Sequence, residues 1–87
     1  MKKKAKYTLY ILQCADGTLY TGITTDMKRR LEEHNSSTLG AKYTRVRRPV
    51  ALVYQKTYEN RSEASVEESR VKKCTRAEKL KLIGSAH

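Results

Sequence analysis

A tyrosine near the end of a strand, a glycine two residues on, and an arginine and a histidine one helical turn apart stand together in residues 20–34. Tyr20-Thr21-Gly22 reads as strand. Thr25 or Asp26 is a suitable N-cap, because its side-chain oxygen can accept from an unpaired first-turn amide. The helix that follows spans residues 27–34. It turns Met27 and Leu31 to the core and stacks Arg30 and His34 on a neighbouring face. These are unusual groups for a unit that only packs. A second anomaly lies further on. In the helix that begins at Arg61, Ala64 and Val71 define the inward stripe, and Glu68 falls on it. A charge at the edge of a core costs several kcal/mol unless it is compensated. A salt bridge to Arg30, partial exposure in a cleft, or a bound cation would each serve. Glu67 is a near neighbour, and periodicity separates the two only weakly.

Which cation could bind is limited by the other ligands. Cys14 and Cys74 are isolated, and His34 and His87 are the only histidines. That excludes a nitrogen/sulfur cage, a zinc pattern and a disulfide framework, so any metal is a hard ion held by oxygen. The net charge is +10. Residues 1–48 hold eleven Lys/Arg against four Asp/Glu, and residues 49–87 hold eight against five. The excess therefore sits mostly on the half that carries Tyr20, Arg30 and His34. A bias of this size favours a polyanion, most simply nucleic acid. Lys42, Arg45, Arg47 and Arg48 form the densest basic patch and read as a phosphate-contacting edge.

The elements that must position these groups follow from patterning. Residues 7–14 read as a strand, Ala15-Asp16-Gly17 as a turn, and residues 18–24 as the returning strand. A two-residue loop would put Tyr10 and Tyr20 on opposite faces. A three-residue loop with left-handed Gly17 pairs Cys14 with Thr18, Leu12 with Tyr20 and Tyr10 with Gly22. The second is preferred, because it gathers Leu9, Ile11, Leu19 and Ile23 as a core on the other face. Leu39, Tyr43 and Val46 recur at helical spacing and predict a short helix entered near Gly40, closed by Pro49. Residues 50–58 alternate as a third strand, with Val50, Leu52, Tyr54 and Tyr58 on one face and Val53 and Thr57 on the other. Asn60 with Glu63, and Thr75 with Glu78, resemble capping boxes for two more helices. The last carries Leu80 and Ile83 and stops at Gly84.

The expected fold is thus α/β of the α+β kind, a three-stranded antiparallel sheet flanked by helices. The expected organisation is a basic extension over residues 1–6, one domain over 7–84 and a short tail over 85–87. An 87-residue chain has no room for two cores. No apolar run approaches the roughly 20 residues of a membrane span, and no signal-peptide core follows the basic head. A cytoplasmic protein is expected, with no membrane and no disulfide-linked partner.

Tyr10, Tyr20-Thr21-Gly22, Arg30, His34 and the later Glu68-x-x-Val71-Lys72 together resemble the GIY-YIG nuclease domain, and most closely the small stand-alone bacterial YhbQ-like group. Cys14-Ala15-Asp16-Gly17, Gly40-Ala41-Lys42-Tyr43-Thr44, Arg48-Pro49 and Thr75-Arg76-Ala77-Glu78-Lys79 add to the likeness, which covers residues 7–83. The first motif departs from the pattern in reading Leu9-Tyr10-Ile11, with no glycine before its tyrosine. A late asparagine used by some homing-type relatives has no match.

The resemblance implies hydrolysis of phosphodiesters in DNA with one divalent ion, Mg2+ or Mn2+, with RNA left open. It suggests branched, nicked or single-stranded substrates of repair or recombination. It makes Glu68 the sole protein ligand of the ion, which suits magnesium because that ion keeps several waters. It makes Tyr20 the group that orients and deprotonates the attacking water. A phenol has an ordinary pKa of about 10 and needs a neighbouring cation for that task. Arg30 would supply the cation and stabilise the transition state. Tyr10 and His34 would position water or phosphate, with His34 the alternative base. Lys72 joins Lys42, Arg45, Arg47 and Arg48 as an expected nucleic-acid contact. The five site residues are expected to converge in one open cleft. The rival reading is a non-catalytic nucleic-acid-binding module that retains the fold.

Overall fold

The structure is a computed structural model that describes residues 6–85. Most of the expected basic extension and all of the tail beyond Ser85, including His87, lie outside the described residues. The chain runs β1 (Tyr7–Gln13), β2 (Leu19–Thr24), α1 (Met27–Ser36), α2 (Lys42–Arg45), β3 (Ala51–Tyr58), α3 (Arg61–Lys72) and α4 (Arg76–Ser85). The sheet is antiparallel with order β2-β1-β3. No helix of the described residues is long and apolar enough to cross a membrane.

β1 is the centre, and helices cover both of its faces. Leu9, Tyr10, Ile11 and Leu12 are consecutive and all buried, as a strand covered on both sides requires. On one face Tyr10 and Leu12 pack with Cys14 and Val50, flanked by Met27 and Leu31 of α1. On the other, Leu9 and Ile11 pack with Val71 of α3, flanked by Leu19, Ile23, Leu82 and Ile83.

The hairpin takes the three-residue loop. The Cys14 amide donates to the Thr18 carbonyl at 2.8 Å, and Gly17 is left-handed at φ +85°. Leu12 therefore opposes Tyr20 and Tyr10 opposes Gly22. Asp26 is the N-cap of α1, accepting from the Arg29 amide at 3.1 Å. Asn60 caps α3 by accepting from the Glu63 amide at 2.9 Å. At α4 the Thr75 hydroxyl accepts from the Glu78 amide, and Glu78 accepts from the Thr75 amide.

Three expectations fail. β3 does not alternate throughout: Tyr54 opposes Ile11 while Leu52 opposes Leu12, so Val53 is an extra residue in a bulge. The bulge shifts the phase, and Val53, Tyr54 and Tyr58 join the α3 face while Val50 and Leu52 stay with α1. The short helix expected near Gly40 is present as α2, but the spacing of Leu39, Tyr43 and Val46 does not bury them; Leu39 is 70% exposed and Val46 79%. A four-residue α2 is too short to present a stripe, and its buried residue is Thr44. Gly84 does not stop α4, which runs to Ser85 with Leu82 and Ile83 as its packed pair and Leu80 exposed.

Candidate active site

The α1 face of the sheet carries an aromatic cluster. The rings of Tyr10 and Tyr20 lie 6.4 Å apart, Tyr10 and His34 5.7 Å, and Tyr20 and His34 5.2 Å. The hydroxyl end of Tyr10 lies against Gly22, where a Cβ would come within 2.5 Å of the phenol oxygen. A glycine is needed here for close approach. Gly40 does the same for the chain entering α2, where a Cβ would lie 2.4 Å from the Glu33 carbonyl oxygen.

His34 is fully buried and both of its ring nitrogens have partners. Nε2 lies 2.8 Å from the Tyr10 hydroxyl and Nδ1 2.8 Å from Thr44 Oγ1. The single Thr44 hydroxyl hydrogen goes to the Ala41 carbonyl at 2.8 Å. Nδ1 therefore carries the ring proton and donates it to Thr44, while Nε2 accepts from Tyr10. The Ala41 amide, 3.4 Å from Nδ1, is too distant to compete. Burial, aided by the charges of Arg30 and Arg48, pushes His34 down to about 4, so it is neutral at pH 7. Burial likewise pushes Tyr10 up to about 12, against the opposing influence of the Arg30 guanidinium near its hydroxyl.

Arg30 is held on the rim. Its Nη1 donates to Glu33 at 2.9 Å and to the Leu39 carbonyl at 2.9 Å. Tyr20 is only partly buried. Its ring stacks on Tyr43 at 5.9 Å, and the Arg47 guanidinium covers Tyr43 at 3.9 Å. Arg47 also donates to Asp16 at 3.1 Å and to the Tyr43 carbonyl at 3.0 Å, which straps α2 to the hairpin.

Glu68 comes from α3, on the other face of the sheet, and pairs at 3.3 Å with Lys72 one turn on. It makes no ion pair with Arg30, whose partner is Glu33. Its charge nonetheless reaches the Tyr10 hydroxyl and helps to raise it. Tyr10, Tyr20, Arg30 and His34 thus converge as a packed cluster rather than an open cleft, and among the described residues no hydrogen bond or ion pair joins Glu68 to them. Among the described residues no group of three or more His, Cys, Asp and Glu is assembled. One partly exposed carboxylate fits an ion that keeps most of its waters, and fits no cage-forming metal.

The basic patch divides. Lys42 and Arg45 are exposed. Arg48 turns inward and donates to the carbonyls of His34 at 2.6 Å and Glu33 at 3.1 Å. It closes the C-terminus of α1 instead of offering its fork to phosphate, which corrects the expectation for that residue. Lys72 is half-spent on Glu68. Sequence reasoning gave Thr44, Tyr43 and Glu33 no site role, since the buried partner of a histidine and the ring stacked on a tyrosine are contacts that only the fold brings together. Only the spacing of Arg30 and Glu33, one turn apart, was visible.

Residues 6–81 match the GIY-YIG catalytic domain. A UPF0213 protein of Desulfotalea psychrophila is 59% identical over 75 residues, 86% of this chain and 68% of that one. A UPF0213 protein of Staphylococcus aureus is 55% identical over 75 residues, 86% of this chain and 90% of that one. The solution structure of a UPF0213 protein from Bacillus halodurans superposes with a TM-score of 0.59 at 43% identity, covering 91% of this chain and 83% of its own. A solution structure from E. faecalis gives 0.66 at 42%, covering 100% and 92%.

Proposed function

The chain belongs to the GIY-YIG catalytic domain family, and on that premise we propose that it is a divalent-metal-dependent endonuclease that hydrolyses phosphodiester bonds in DNA. The observation that carries this reading is the junction of a partly buried Tyr20, a fixed Arg30 and the buried Tyr10–His34 pair on one face of the sheet.

Tyr20 is only partly buried, so it orients the attacking water and, as the phenolate, takes the water's proton to become the neutral phenol. His34 is not the base: it is sealed from solvent, both nitrogens are engaged, and its burial favours the neutral form. It is a positioning residue that fixes the Tyr10 hydroxyl and, by edge contact, the Tyr20 ring. Arg30 opposes the negative charge that gathers on the phosphate oxygens as water adds and the leaving oxygen departs. Glu68 would hold the divalent ion, whose contribution when bound is Lewis-acid neutralisation at the phosphate. Lys42, Arg45 and Arg47 supply charge for the flanking backbone.

The test is cleavage of duplex, single-stranded and branched DNA by purified protein with Mg2+ or Mn2+, beside EDTA and a Glu68→Gln variant. Cleavage is expected only with metal and only in the unsubstituted protein. Cleavage that survives EDTA or Glu68→Gln would overturn the assignment. Tight binding without cleavage of any substrate would leave a nucleic-acid-binding module.

A further inference from the structure

Tyr43 has a second neighbour besides Tyr20. It also lines a cavity of about 180 Å³, together with Thr18, Leu19, Arg76 and Lys79. Arg76 and Lys79 are three apart and share one side of α4. Arg76 donates Nη1 to the Gly17 carbonyl at 2.7 Å, which fixes its fork against the hairpin turn and leaves donors over. Lys79 is half-buried, and among the described residues it forms no ion pair. The acid beside it in sequence, Glu78, accepts from the Thr75 amide and lines a different cavity, with Arg70 and Cys74.

The lining is therefore two cations, a phenol, Leu19 and Thr18, whose hydroxyl donates to Asp16 at 2.6 Å, and no carboxylate lines the space itself. A partly desolvated ammonium favours an anionic partner. The space is large enough to admit a phosphate group. We infer that this cavity is a second phosphate site, in which Arg76 and Lys79 grip the backbone of the nucleic-acid strand whose scissile phosphate lies at Tyr20. Tyr43 is the wall common to the two sites, so the strand passes over it. The inference rests on the nuclease reading for the position of the scissile phosphate, though its binding test needs no cleavage.

Anisotropy of fluorescein-labelled duplex DNA, titrated with the full chain in EDTA across a salt series, counts the phosphates contacted. Lys79→Ala is expected to weaken binding and flatten the log–log salt slope by about 0.9, and Arg76→Ala/Lys79→Ala by about 1.8. Lys81→Ala removes the same charge from the same helix but lines the other cavity, so its slope should match the unsubstituted protein. An unchanged slope in Lys79→Ala, or equal flattening by Lys81→Ala, would overturn the site. Inorganic phosphate is the second probe. If it shifts the Thr18 and Leu19 amide resonances at concentrations as low as DNA does, the cavity serves free phosphate and the strand assignment falls. The Lys79 side chain makes no hydrogen bond among the described residues, and its amide bond to the Thr75 carbonyl is kept by alanine, so the variant keeps its fold, which circular dichroism checks. Absence of cleavage with these slope differences intact would sink the nuclease reading and leave the site standing.

Discussion

Glu68 and His34 carry opposite risks. Glu68 lies on the inward side of α3, yet its partner is Lys72 on its own helix and its side chain is 23% exposed. Exposed pairs of this kind contribute little. Glu68→Gln should therefore change stability by no more than about 0.5 kcal/mol while cleavage is lost. Thermal unfolding beside the cleavage assay checks both, and a large fall in melting temperature would return Glu68 to a structural role. His34 is the reverse case, valuable for the fold and silent at pH 7. Its pKa falls from an ordinary 6.5 to about 4 on folding. Between those values the unfolded chain binds more protons than the folded one, so stability rises with pH across the window. Acidification from pH 7 to 4 should cost on the order of 3 kcal/mol at this site. Denaturant midpoints across that range, compared with His34→Gln, would show the dependence. An equally steep fall in the variant would assign it to other groups.

At the scale of elements, the hairpin and α1 are held together by close approaches that admit no substitute. Gly22→Ala would drive a methyl into the Tyr10 ring. It should cost roughly 1–3 kcal/mol, as overpacking does, and displace the phenol that His34 holds. Gly17→Ala meets no atoms, but at φ +85° it costs about 1 kcal/mol in backbone strain. Stability should fall in both, while cleavage should fall only in Gly22→Ala. Equal loss of activity would mean that hairpin geometry, rather than the Tyr10 contact, matters. Arg48 ties the end of α1 to the chain before β3. Arg48→Ala should destabilise by about 1–3 kcal/mol and leave the DNA salt slope unchanged. Arg45→Ala should do the opposite, flattening the slope by about 0.9 without affecting stability. Urea unfolding paired with the salt series separates the two.

Across the whole molecule, the +10 charge is not spread evenly in its uses. Arg30, Arg47, Arg48, Arg70 and Lys72 are engaged by partners within the protein. Lys42, Arg45 and Lys79 form no ion pair among the described residues. If these three, with Arg47 and Arg76, each neutralise one phosphate, the log–log salt slope on duplex should be about −4 to −5. A slope near −1 would restrict the interface to the catalytic cluster.

The sequence by itself determined the element order and favoured, over one alternative, the hairpin register that sets Tyr10 and Tyr20 on one face. These are local or periodic facts: an Asp-Gly turn with two core faces to satisfy, and a helix period that stacks Arg30 on His34. It marked Glu68 as a charge out of place. It could not decide which basic residues face outward, because Arg45 and Arg48 look alike until a helix end nearby leaves carbonyls to fill. Nor could it find the bulge at Val53, where one unpaired residue moves Tyr54 and Tyr58 to the other face. The grounds on which we propose Tyr20 over His34 were likewise closed to it. Burial and partners distinguish a partly buried phenol from a sealed imidazole, and both arise only where α1, α2 and the sheet meet.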